Sequence, residues 1–415
     1  LGHHTRERYA RYVHTLAGWA RELGVAEPTP LLVNVHGCWG QRATTFPLGI
    51  SQLYRTWQGR ADILPGSDVY IGDLTLDKLP GFWAAHAFLA ATCDDGQPFG
   101  ALEFEVGSGD HGEAFDVATG PESGPLKLQT VLAQGATFVN YYLLAGGRNP
   151  MLFEPVGDGN DRVAFTGERH GFAAPIDPEG HLTAWHAATA RATRAVREQA
   201  GLLRAARPEL PPVALAFVPD HYMTEYHYPA SARETALVTE LERFRGSGPR
   251  EVMTRALVTG GYAPDAVRLD DDAALARFGT QRVLALAPTP YLDDDVQARL
   301  VGWVRAGGRL LLSGPLPQHD LVGRPATTLI DALGLRVGRR DESGLHQMAY
   351  AATPGRTPFV TPAVVDGAPA WQGAEVAVGF PQPLAATGTG VTVLARLARS
   401  GEPCVVEAPL GAGRV

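Results

Sequence analysis

The sequence predicts an α/β protein: the C-terminal half of a (β/α)₈ barrel, then a doubly wound, flavodoxin-like α/β domain and the start of a small β domain. Three observations lead there. Four apolar strands alternate with helical stretches in the first 206 residues, the mark of βαβ units and a parallel sheet. Long loops rich in Gly, Pro and Asp follow those strands, at 37–67, 75–99, 107–124 and 146–180, on the side where (β/α)₈ enzymes build their sites. A Pro-rich break at Arg207-Pro208-Glu209-Leu210-Pro211-Pro212 then opens a second α/β pattern. Four units make half a barrel, and an open half leaves sheet edges unpaired, so the other half is expected upstream of Leu1.

The first helix is carried by Tyr9, Tyr12, Val13, Leu16, Ala20 and Leu23 at helical spacing, with Gly24 placed to end it. Strands follow at Leu31–His36, Asp68–Leu74, Ala101–Val106 and Thr137–Leu144, with a helix at Pro125–Gln134 and a long one from about His181 to Ala206. Domain limits are therefore expected at 1–206, 207–349 and 350–415. The second domain shows strand Val213–Val218, strand Arg282–Ala287, a helix Asp293–Arg305 with Val296, Leu300, Val301 and Val304 on one face, and strand Arg309–Leu312 after a Gly307-Gly308 turn. From about 350 the pattern changes to short strands, ending in Val391–Leu397 and Cys404–Glu407.

Composition narrows the function classes. The 415 residues are 45% hydrophobic and 19% charged with a net charge of -8, an ordinary globular balance that argues against a nucleic-acid partner. No apolar run approaches the roughly 18 residues of a membrane span. Cys38, Cys93 and Cys404 are odd in number and far apart, which gives neither a disulfide framework nor a zinc spacing. No cofactor and no metal are expected, and self-association is left open.

Few short motifs carry chemistry. Gly107-Ser108-Gly109-Asp110-His111-Gly112 matches GxGxxG after a strand, but Gly120, Pro121 and Gly124 follow instead of an amphipathic helix, so no helix N-terminus awaits a pyrophosphate. His181 and His186 are five apart and do not share a helix face. The informative strand is Gly100–Gly107, where alternation puts Leu102, Phe104 and Val106 on one face and Glu103 and Glu105 on the other. Taken alone, the two carboxylates fit a solvated strand and a catalytic pair equally well. Their neighbours favour catalysis: Asp110, His111 and Glu113 follow, and Asn140-Tyr141-Tyr142 to Arg148-Asn149 brings amide, phenol and guanidinium groups suited to sugar hydroxyls. Asn140 and Tyr141 also fit satisfied core positions.

These residues together resemble the catalytic barrel of family 35 glycoside hydrolases, the retaining β-galactosidases. The family's Glu-aromatic-x-x-Gly at the end of strand seven corresponds to Glu103-Phe104-Glu105-Val106-Gly107, with Asp110 and His111 behind it. Its eighth strand, Asn-x-Tyr-x-x-x-Gly-Gly-x-Asn after Ala-x-Gly-Ala, corresponds to Asn140–Asn149 after Ala133–Ala136. Two departures stand out: Arg148 replaces the usual Thr, and Phe172-Ala173-Ala174-Pro175 lacks the family's tyrosine. The later domain resembles the amidotransferase-like domain that follows the barrel in family 42 β-galactosidases.

The resemblance implies a retaining exo-β-galactosidase acting on a carbohydrate substrate, with Glu103 as nucleophile and Glu105 as a supporting carboxylate. It also implies sugar contacts from Asn34, Asp73, Asp110, Asn140, Tyr141 and Arg148, and an acid/base glutamate just before Leu1. The loop Asp220–Tyr228 is rich in groups that stack on sugars, and an ordinary domain-junction loop explains it as well. Two alternatives share the same residues: a β-glycosidase for a glucoside, glucosaminide or xyloside, and a carbohydrate-binding protein with a degenerate site.

Overall fold

The computed structural model describes residues 2–39, 45–107, 119–148, 169–171, 174–206, 209–224, 227–228, 230–245, 249–342, 345–350 and 375–415. The chain divides into two compact units, Leu1–Leu210 and Pro211–Val415.

The first unit is built on four strands, β1 (Leu31–Trp39), β2 (Ile63–Tyr70), β3 (Gly100–Phe104) and β4 (Phe138–Tyr141), in the order β1-β2-β3-β4. Every neighbouring pair is parallel. Helix α1 (Gly2–Glu22) precedes the sheet, and α2 (Thr45–Leu53), α3 (Leu79–Ala91) and α4 (Ser123–Ala133) form the crossovers. After β4, a two-residue pairing of β5 (Gly147–Arg148) with β6 (Arg169–His170) leads to α5 (Ala184–Glu198) and α6 (Ala200–Ala205). Val35, Ile50, Tyr54, Trp57, Ile63, Val69, Phe82, Phe88, Phe104 and Val131 are buried between sheet and helices. The pattern is that of repeated βα units with a continuous strand-to-helix core.

Four features differ from the sequence expectation. The second strand runs over Ile63–Tyr70, not 68–74. Pro65, which argues against a strand, is accommodated opposite Val33. The segments expected as loops at 37–67 and 75–99 contain α2 and α3. Helix α3 buries Phe82, Ala84, Ala85, His86, Ala87, Phe88 and Leu89 all round, so it has no apolar stripe for periodicity to detect. Helix α1 ends at Gly24, whose φ of 101° is left-handed, yet the face it buries is Arg6, Ala10 and Ala17 rather than the aromatic one. Arg6 stacks on the Tyr54 ring at 4.8 Å, while Tyr12, Leu16, Trp19 and Leu23 are exposed.

The second unit contains a six-stranded sheet in which β7 (Val213–Phe217), β8 (Asp265–Arg268), β9 (Val283–Leu286) and β10 (Arg309–Leu312) are parallel in the order β10-β9-β7-β8. The expected strands and the helix Asp294–Arg305 are present. Helices Ala232–Arg245, Pro249–Thr259 and Asp272–Phe278, and strand β8, fill an interval with no element expected from sequence. An antiparallel four-stranded sheet joins Leu345–Tyr350, Glu375–Gly379, Thr392–Leu397 and Pro403–Glu407. The last two short strands, Pro409–Leu410 and Gly413–Arg414, return to the edge of the parallel sheet beside β10. Among the described residues no helix is long and apolar enough to cross a membrane.

Candidate active site

In a parallel sheet with helical crossovers, loops at the C-terminal strand ends are free to build a site. Glu103, the penultimate residue of β3, projects there. Its register partner on β2 is Asp68, and Asn34 comes from β1. The Asn34 amide donates to Glu103 Oε1 at 3.2 Å. The Tyr70 hydroxyl, from the last position of β2, donates to Glu103 Oε2. Tyr142, just past β4, sets its ring edge-on to Tyr70, 5.9 Å between centroids. Three strands and the exit of a fourth thus converge on one carboxylate.

Electrostatics follow from burial. Desolvation, and then the hydrogen bond to Glu103 and its charge, push the Tyr70 phenol far up, so it remains a neutral donor. Asp68 is only 8% exposed. Burial first, and the neighbouring Glu103 charge second, raise its carboxyl to about 7 against an opposing hydrogen bond from Asn34. Two donors therefore serve Glu103, which suits an ionised carboxylate.

Glu105 has a different environment. Its carboxylate accepts from Lys127 Nζ at 2.9 Å and from the Gly72 amide at 2.7 Å. The Lys127 side chain is 1% exposed, and burial lowers its pKa against the upward pull of Glu105. This buried ion pair ties the end of β3 to α4 and to the β2 exit. Strict alternation fails here because the register shifts between Ala101 and Phe104 against β4 and between Ser67 and Asp68 against β3.

The other expected contacts scatter. Asn140 donates to the Leu102 carbonyl at 2.9 Å, within the stretch where the β3–β4 register shifts. The Tyr141 hydroxyl lies 2.8 Å from Thr193 Oγ1 on α5, and its ring packs on Phe104. Asp73 accepts from the Gly120 amide at 3.2 Å. Asp110 lies outside the described residues, as do the side chain of Arg148 and positions 108–112 of the GxGxxG match. In the second unit His221, Tyr222 and Thr224 are buried, and His221 Nε2 bonds the Tyr291 carbonyl at 2.9 Å. That part of the loop is packed as an ordinary junction would be.

Asp68, Tyr70 and Tyr142 were not among the expected site residues. Alternation along Gly66-Ser67-Asp68-Val69-Tyr70 puts Asp68 and Tyr70 on one face, a signal lost by starting the strand too late. Tyr142 occupies the tyrosine position of the Asn-x-Tyr spacing, two residues after Asn140. Among the described residues no group of three or more His, Cys, Asp or Glu side chains could hold a metal. The Cys93 thiol is pushed up to about 12 by burial and then by Asp94, which leaves it unreactive.

Comparison with known proteins agrees with this architecture. Residues 229–359 match the family model described as "GLMA-like, second domain". No curated protein matches the sequence. Among solved structures, a β-galactosidase from the Antarctic haloarchaeon Halorubrum lacusprofundi is 16% identical with a TM-score of 0.58, over 92% of this chain and 50% of that one. A catalytic mutant of a GH42 β-galactosidase from G. stearothermophilus is 14% identical with a TM-score of 0.56, over 85% and 45%. An exo-β-1,4-mannosidase from Opitutaceae bacterium strain TAV5 is 14% identical with a TM-score of 0.51, over 85% and 54%. The chain thus has the α/β fold of these structures and spans about half their length. The expected likeness to family 35 gains no support, whereas family 42, expected for the later domain alone, is named for a structure covering 85% of the chain.

Proposed function

We propose that this chain supplies the nucleophile of a retaining exo-β-glycosidase whose substrate is a terminal β-D-galactoside. The observation that carries the reading is Glu103 at the C-terminal end of a parallel strand, held between the Asn34 amide and the Tyr70 hydroxyl. Glu103 attacks the anomeric carbon as the glycosidic bond breaks, forming a glycosyl-enzyme. Asn34 and Tyr70 fix the plane of the carboxylate, so little reorientation accompanies the attack. A retaining mechanism uses a second carboxyl roughly 5–5.5 Å away, which protonates the leaving oxygen and then activates water.

Within this reading Glu105 supports Glu103 indirectly, by anchoring the end of β3 through Lys127. Asn140, Asp73, Asp110, Tyr141 and Arg148 remain proposals as sugar contacts, with Tyr142 added to them through its place beside Tyr70. A different terminal sugar is the second reading, favoured by the exo-β-mannosidase that shares the fold.

The test is Glu103→Gln in the full-length protein with aryl β-glycosides of several sugars. The expected outcome is a folded protein whose turnover falls by about 10⁴-fold or more, with galactosides cleaved best by the wild type. A fully active variant removes the assignment. Sugar binding without turnover in the wild type would replace it with a carbohydrate-binding protein.

A further inference from the structure

We propose that Asp68 is a positioning residue that sets the orientation of Glu103, acting through the Asn34 amide that donates to Glu103 and lies beside the Asp68 carboxyl. The inference rests on reading Glu103 as the nucleophile. Three geometric facts carry it. Asp68 and Glu103 are register partners on adjacent strands. The Asn34 side chain donates to Glu103 Oε1 at 3.2 Å and lies close enough to the Asp68 carboxyl to favour its charged form. The Asp68 Oδ1 atom is buried and has no hydrogen-bond partner among the described residues.

A buried carboxylate oxygen with no donor is expensive unless the group holds a proton. Glu103, by contrast, has two donors. The pair therefore divides one charge and one proton unequally, with the charge on Glu103 and the proton on Asp68. The titratable groups facing Asp68 are Glu103 from β3 and Tyr70 from its own strand, with Tyr142 against Tyr70. β1 contributes the uncharged amide of Asn34. When Asp68 loses its proton, a second anion competes for that amide, and Glu103 loses one of the two bonds that orient it. Attack should weaken as Asp68 ionises. In the glycosyl-enzyme Glu103 is an uncharged ester, so its influence on Asp68 disappears and Asp68 gives up its proton more readily.

The experiment follows covalent labelling of the full-length protein by a 2,4-dinitrophenyl 2-deoxy-2-fluoro-β-galactoside. This leaving group departs without protonation, so the acid/base residue adds no limb of its own. The rate of label uptake, read by intact mass and located by peptide mapping, is measured from pH 5 to 9. We expect the label on Glu103, and a rate that falls about tenfold per pH unit above a midpoint near pH 7. Asp68→Asn, neutral and nearly isosteric, should label without that limb. Asn34→Ala removes the amide through which Asp68 acts on Glu103, so labelling should be slower and should lose the same limb, which keeps a test available should Asp68→Asn fail to fold.

A wild-type profile that is flat or rising overturns the proposal, as does a limb that persists unchanged in Asp68→Asn. A limb that persists unchanged in Asn34→Ala also overturns it. Label on another residue, or none, defeats the nucleophile assignment itself and the inference with it. Label on Glu103 with an Asp68-independent profile defeats the inference alone.

Discussion

The Tyr70 hydroxyl donates to Oε2 of Glu103 across the β2–β3 boundary, joining the end of one strand to the carboxylate proposed as nucleophile. Burial keeps that phenol protonated. Tyr70→Phe removes the donor while keeping the ring against Tyr142. The expected result is a folded enzyme with kcat lowered roughly 10²-fold, the scale of losing one preorganised donor at a reacting group. Steady-state kinetics of the variant beside the wild type read this directly, and an unchanged kcat would contradict it.

The Lys127–Glu105 pair should behave as a structural anchor. Lys127→Met leaves a carboxylate in a site where Lys127 is 1% exposed, and about 3–5 kcal/mol of unfolding free energy should be lost. Lys127→Met combined with Glu105→Leu should recover much of it, because no charge is then stranded. Urea unfolding of the four proteins in the cycle measures this. Purely additive losses would show that the pair is not coupled.

At Gly100 an added Cβ overlaps the Phe138 carbonyl oxygen and ring across the β3–β4 pairing. Gly100→Ala should cost about 1–3 kcal/mol through the forced backbone shift. The same shift displaces Glu103, three residues on, so kcat should fall together with the melting temperature.

His86 is fully buried between the Phe82 carbonyl, 3.0 Å from Nδ1, and Ser67 Oγ, 3.1 Å from Nε2. Burial outweighs the Phe82 hydrogen bond and lowers its pKa to about 4. The unfolded chain takes up this proton below about pH 6.5, the folded chain only near 4. Stability from this group is therefore complete above pH 6.5 and is lost as pH falls toward 4, by roughly 3 kcal/mol at most. Urea midpoints at pH 7 and pH 4.5 should differ accordingly, and less so in His86→Gln.

Much of the frame was legible because period-2 and helical patterns survive wherever one face is buried, as in Ala101–Val106 and Asp293–Arg305. Helix α3 escaped because it is apolar on every side, and the start of β2 escaped because Pro65 and Gly66 read as loop. At the candidate site, Glu103 is suggested by alternation and a family motif and Asn34 by its place near a strand end, and the two side chains meet in the fold. Tyr70 and Asp68 were missed because the strand that carries them was set too far along the chain. The engagement of Glu105 by Lys127 depends on register shifts around Leu102, which no local pattern announces.

The most direct test of Glu103 as nucleophile is chemical rescue. Glu103→Ala in the full-length protein is given an activated aryl β-galactoside with and without sodium azide. Negligible turnover is expected without azide, restored turnover with it, and a glycosyl azide of α configuration, because azide enters through the space the carboxylate vacated. A β-glycosyl azide, or turnover independent of azide, would contradict it.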